Sequence, residues 1–241
     1  MKKLQEFNDF KKGIIDGMPI CLGYLSVSFA FGIFVMNQGV GFSWLHALLI
    51  SMTNVTSAGQ LAGVPIIAAG GTFLELAVSQ LVINLRYALM SVSLSQKMGP
   101  SVRMIDRFLI SFINTDEVFA LGMAREGNLT VSFFTGAGTV AALGWIGGTA
   151  MGAIAGSLLP LSIRAALGVM LYGMFIAIVV PQARQEKSIL VSMALALVFS
   201  CMFAWLPGLK TVSAGLAIVI CTVAAAAVCA LLFPVKEEAA A

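Results

Sequence analysis

The chain has 241 residues, 59% of them hydrophobic and 10% charged, with a mean hydropathy of +0.98. A soluble domain carries about 25% charged residues, so this composition excludes a water-facing globule and implies an integral membrane protein. The net charge of +3 gives no reason to expect a nucleic-acid partner. The lysines and arginines sit in short segments flanking apolar runs, as membrane topology demands.

Met1 to Lys12 carries four lysines and reads as a basic cytoplasmic N-terminus. The apolar run that follows, 13–37, is too long for a cleaved signal, and no A-x-A site follows it, so it is expected as a retained first span. Asp16 is expected at the membrane surface, paired with Lys12 four residues earlier, and Pro19 and Gly23 should loosen this helix.

A span needs roughly 20 apolar residues. Further runs lie at 43–69, 72–94, 106–124, 130–158, 161–181, 187–206 and 211–233. They are expected to form a single all-α transmembrane domain over 13–233, a polytopic bundle followed by a short tail over 234–241. The longest link, Ser95 to Asp106, contains Gly99 and Pro100.

The run 43–69 is unlike the rest. Its middle carries Asn54, Thr56, Ser57 and Gln60, followed by Gly63 and Pro65. Helix-breaking backbone at membrane depth survives only inside protein or beside a water-filled cavity. The segment is therefore a span broken at its centre or a re-entrant hairpin. With eight spans, eight basic residues fall on the N-terminal side and five opposite. With a hairpin and seven spans the division is nine against four, which the positive-inside rule favours. His46, beside Trp44 at the edge of the run, is expected to be an interfacial polar group.

In 72–94 the tetrad Asn84-Leu85-Arg86-Tyr87 interrupts the apolar pattern. A charge at the bilayer centre costs roughly 2.5–3.5 kcal/mol on insertion scales, so Arg86 calls for a carboxylate partner. Asn114-Thr115-Asp116-Glu117 interrupts 106–124. Neighbouring helical carboxylates point about 100° apart, so only one can face Arg86 directly, leaving the other to line a cavity and exchange protons. Both tetrads admit a structural alternative: an ion pair that fixes register, or a helix break at the surface.

Run 130–158 repeats G-x-x-x-G through Gly144, Gly148, Gly152 and Gly156. This spacing brings small residues to one helix face for close packing; a sliding helix is the rival reading. Its glycine content suggests that 130–158 and 43–69 hold corresponding places in two halves. The four cysteines (Cys21, Cys201, Cys221 and Cys229) lie in apolar runs without C-x-x-C spacing, as packing residues do. No H-E-x-x-H, nucleophile elbow or P-loop occurs, and the chain has a single histidine. Neither enzymatic activity nor a metal or cofactor is expected.

Asp16-Gly17-Met18-Pro19, Phe29-Ala30-Phe31-Gly32, Ser57-Ala58-Gly59-Gln60, Asn84-Leu85-Arg86-Tyr87 and Thr115-Asp116-Glu117-Val118-Phe119-Ala120-Leu121 resemble the AzlC family of branched-chain amino acid exporters. The likeness covers about residues 10–235. Members usually carry histidine where this chain has Tyr87. The resemblance implies a multi-pass protein of the bacterial inner membrane that exports small aliphatic amino acids with a small membrane partner resembling AzlD. On this reading Asn54, Thr56, Ser57, Gln60, Asn84, Arg86, Tyr87 and Asn114 contact substrate, and Asp116 and Glu117 couple transport to a proton or ion. A small-solute channel and a non-transporting scaffold are the alternatives.

Overall fold

The computed structural model describes residues 2–98 and 102–234. Gly99, Pro100 and all of the expected tail except Pro234 lie outside the described residues. Among those described the secondary structure is helical: α1 (Lys2–Met36), α2 (Trp44–Thr53), α3 (Ser57–Ala68), α4 (Phe73–Asn84), α5 (Arg86–Met98), α6 (Met104–Phe112), α7 (Asp116–Ala124), α8 (Val131–Ala155), α9 (Leu161–Gln185), α10 (Lys187–Trp205) and α11 (Ala214–Leu232).

Five helices are each long and apolar enough to cross a bilayer: α1, α8, α9, α10 and α11. A sixth span is available if α4 and α5, which meet at a 44° bend, are taken together. The remaining two apolar runs appear as pairs of shorter helices. The break expected in 43–69 is present at residues 54–56. Two more were not expected as breaks in their runs: one at Leu85, and one at residues 113–115, where a helix break was only the alternative reading. At each, polar side chains interrupt the apolar pattern and offer the main chain partners that a lipid-facing helix lacks.

The helices form two compact units. The first comprises Met1–Leu61 and Asn84–Leu171. Its axis is α1 against α8. At 35 residues α1 is about 52 Å long, well beyond a hydrocarbon core of about 30 Å. It runs unbroken through Pro19 and Gly23, which were expected to loosen it. The glycine stripe of α8 lies against the main chain of α1. A Cβ on Gly144, Gly148 or Gly152 would strike the carbonyl oxygens of Cys21, Leu25 and Phe29 respectively. Backbones that touch in this way match close packing. α8 is continuous where 43–69 is split. Ser51 Oγ and Thr149 Oγ1, 2.8 Å apart and both buried, hold α2 to α8. Tyr24, Val55, Val118, Phe133, Phe134 and Trp145 belong to one buried core.

One end of this unit is fastened by charge. Asp9 Oδ1 lies 2.9 Å from Arg125 Nη2, and Thr130 Oγ1 donates to Asp9 Oδ2 at 2.9 Å. The guanidinium of Arg125 sits 4.2 Å from the ring centre of Phe133. Lys97 Nζ donates to the carbonyls of Met123 and Arg125, both at 2.6 Å, which caps the C-terminus of α7. Among the described residues Asp9, rather than Asp16, carries an ion pair of the N-terminal segment, and none joins Asp16 to Lys12. Hydrogen bonding from Arg125 holds the Asp9 carboxyl below its ordinary range. His46 closes the start of α2, its Nδ1 accepting the Ser43 N–H at 3.0 Å.

The second unit comprises Ala62–Ile83 and Tyr172–Ala241. α10 packs on α11, and Glu75 Oε1 accepts the N–H of Gly215 at 3.1 Å, capping α11. Ser79 turns back to the Glu75 carbonyl at 2.7 Å. All four cysteines are free.

Candidate functional site

In the first unit, hydrogen bonds and ring contacts link two of the helix breaks, and an ion pair adds the third. At residues 54–56, Thr56 Oγ1 donates to Asn54 Oδ1 at 3.0 Å. Gln60, one turn into α3, reaches back: its Nε2 donates to the carbonyls of Asn54 and of Ile50, the latter at 3.1 Å. Its Oε1 accepts the indole N–H of Trp145 at 2.9 Å. Gln60 is 1% exposed, and its amide is committed to protein partners. It therefore clamps the broken segment. Ser57 begins α3 and makes none of these bonds.

At residues 113–115, Thr115 caps α7 through its side chain, with Oγ1 3.5 Å from the N–H of Val118. Asp116 and Glu117 follow in the first turn, where free N–H groups and the helix dipole favour anions. The two carboxylates part. Asp116 Oδ2 lies 2.9 Å from Arg86 Nη2, whereas Glu117 Oε2 accepts the hydroxyl of Tyr24 on α1. Arg86 opens α5, the wrong end of a helix for a cation, and Asp116 offsets that. Arg86 also stacks on Tyr87, 5.1 Å from its ring centre, with Nη2 3.4 Å from its hydroxyl. Asn84 ends α4 at the bend.

The Arg86–Asp116 pair is not buried, contrary to expectation: the side chains are 44% and 37% exposed. Asn114 is the buried member, 5% exposed, and neither end of its carboxamide has a protein hydrogen-bond partner among the described residues. Natural structures leave few such groups unmatched, which makes Asn114 a candidate for contact with a bound solute or water.

Seven of the ten candidate residues fall into two clusters, with Ser57, Asn84 and Asn114 outside them. Asn54, Thr56 and Gln60 meet at the first break; Arg86, Tyr87, Asp116 and Glu117 meet between α5, α7 and α1. The residues joining the clusters escaped the sequence. Tyr24 touches Glu117 with its hydroxyl and Trp145 with its ring, edge to face at 5.3 Å and 80°. Trp145 carries the contact on to Gln60. One signal was available. Tryptophan belongs at membrane interfaces, yet Trp145 stands in the middle of an apolar run, where its N–H demands an acceptor.

Comparison with known proteins agrees with the membrane architecture. The AzlC protein family model matches residues 19–159, more than half of the chain. An uncharacterised membrane protein of Archaeoglobus fulgidus is 30% identical over 203 residues, covering 83% of this chain and 88% of that one. The inner membrane protein YgaZ of Escherichia coli is 29% identical over 194 residues, 77% of this chain and 78% of its own. An uncharacterised membrane protein of Helicobacter pylori is 26% identical over 165 residues, 62% of this chain and 67% of its own. No solved structure matches.

Proposed function

The chain belongs to the AzlC family, and from that premise we propose that it is a secondary transporter of the bacterial inner membrane that exports branched-chain or similar small aliphatic amino acids. The observation that carries this reading is the Arg86–Asp116 pair at the junction of two helix breaks, with Glu117 beside it. An amino acid presents a carboxylate, an ammonium and an apolar side chain. Arg86 and the unbonded N–H groups of a half-helix attract the carboxylate. Asp116 and Asn114 offer oxygen to the ammonium, and neighbouring apolar side chains receive the aliphatic remainder. Glu117 is left to exchange a proton or ion with the gradient that drives export. A small membrane protein resembling AzlD completes the complex.

Binding tests this before transport is attempted. A ligand that binds the folded state raises stability as its concentration passes the dissociation constant. Leucine and valine should raise the unfolding temperature of the purified protein, while glutamate and lysine leave it unmoved. Equal responses to all four, or to none, refute the substrate class.

A further inference from the structure

The reading above gives Glu117 the exchange with the gradient and leaves unassigned how its state reaches the break 54–56. We propose that Glu117 is the proton carrier, and that Tyr24, acting through Trp145 and Gln60, is the positioning residue that makes the 54–56 break respond to its charge. The inference rests on the transport reading for its purpose, although its geometry stands apart from it.

The two carboxylates differ in what neutralises them. Asp116 has the guanidinium of Arg86 at 2.9 Å, so the pair is balanced in place. Glu117 has a neutral hydroxyl, that of Tyr24. An ionised carboxylate at membrane depth is costly without a countercharge. A proton arriving from one aqueous side and leaving to the other changes the net charge of Glu117, whereas it would have to displace Arg86 at Asp116. The groups facing Glu117 are Tyr24 from α1, Tyr87 from α5, and Asp116 on its own helix, while Arg86 faces Asp116 and Tyr87. α8 contributes no titratable residue.

Protonation reverses a hydrogen bond. Ionised Glu117 accepts from Tyr24; protonated Glu117 becomes a donor, and Tyr24 then accepts and turns its own hydrogen elsewhere. The Thr115 hydroxyl faces Tyr24 and provides that alternative acceptor. Tyr24 is buried, so a change at its hydroxyl reaches its ring, which rests edge-on against the equally buried Trp145. The indole N–H holds Gln60, and Gln60 holds the carbonyls of Ile50 and Asn54 at the break. One chain of contacts therefore runs from a proton-binding group to the main chain of a different broken segment.

The chain has three tryptophans, so Trp44→Phe with Trp205→Phe leaves Trp145 as the sole indole reporter. Its fluorescence, followed in nanodiscs as the pH is varied, is expected to change along one sigmoid. Glu117→Gln should abolish that change. Tyr24→Phe keeps the ring and should abolish it too, because the hydroxyl is the link. Asp116→Asn should retain at least half of it, and Glu117→Asp should restore a sigmoid with a displaced midpoint. Thermal unfolding of each variant separates a lost signal from a lost fold; if Tyr24→Phe does not fold, Glu117→Gln and Glu117→Asp decide alone. A flat parent response, or a response that survives Glu117→Gln, overturns the proposal. The readout needs no transport. Fluorescence that titrates without amino-acid flux fails the transport reading alone, and flux with flat fluorescence fails this inference alone.

Discussion

Removing the Gln60 carboxamide tests whether the first break is held by a clamp or left open for substrate. Gln60→Leu deletes the amide and leaves an apolar side chain one atom shorter. The Trp145 N–H, 2.9 Å from Gln60 Oε1, then loses its acceptor in a site where Trp145 is itself buried. An orphaned buried donor costs about 1–3 kcal/mol in soluble proteins. Pairs within membrane proteins average roughly 0.6 kcal/mol, with a maximum of about 1.7, because the unfolded segments also find partners. Freeing the Ile50 and Asn54 carbonyls adds to the loss. The expected total is about 1–3 kcal/mol. The assay is a double-mutant cycle with Trp145→Phe, read by thermal unfolding in detergent. The two substitutions should be non-additive by about 0.5–1.5 kcal/mol, since each removes the same bond. Ser57→Ala, which breaks no bond of this network, should leave stability unchanged. Additive losses from Gln60→Leu and Trp145→Phe would refute the clamp.

Three further outcomes follow from the same geometry. Gly148→Leu drives a side chain into the Leu25 carbonyl and should abolish accumulation of folded protein, whereas Gly147→Ala faces open space and should be tolerated; detergent-solubilised yield decides between them. The Asp9–Arg125 contribution is present above the ordinary carboxylate range and is lost as pH falls through the depressed value of folded Asp9, so stability should drop below about pH 4. Asp9→Asn should remove that part of the acid dependence, measured as unfolding temperature against pH. Arg86→Gln or Asp116→Asn alone leaves an uncompensated charge; because both side chains are partly open, the cost is nearer about 1 than 3–5 kcal/mol. The double variant should be more stable than either single one by thermal unfolding.

Much of the architecture was legible because lipid imposes one strong rule. Long apolar runs gave α1, α8, α9, α10 and α11, and the polar centre of 43–69 showed that no continuous helix suits it. The same reasoning passed over the bend at Leu85. Asn84 and Arg86 looked like two polar residues on a helix, while in fact they end α4 and begin α5. At Asn114-Thr115 a break was entertained, but capping by Thr115 is a local bond that apolar counting does not weigh. Tyr24 and Trp145 were invisible for a different reason. Their partners, Glu117 and Gln60, lie 93 and 85 residues away, and one sequence carries no record of such distant contacts. Burial was also misjudged: intramembrane charge suggested a hidden Arg86, yet Asn114 is the more enclosed.

The central claim, that the carboxylates at the start of α7 serve export of small aliphatic amino acids, is tested most directly by leucine efflux from preloaded proteoliposomes with an imposed proton gradient. The parent chain, reconstituted with the proposed small membrane partner, should release leucine in a saturable, gradient-dependent manner. Glu117→Gln should remove the dependence on the gradient, and Asp116→Asn should slow efflux at every gradient. Efflux that is unchanged in both variants would contradict the account.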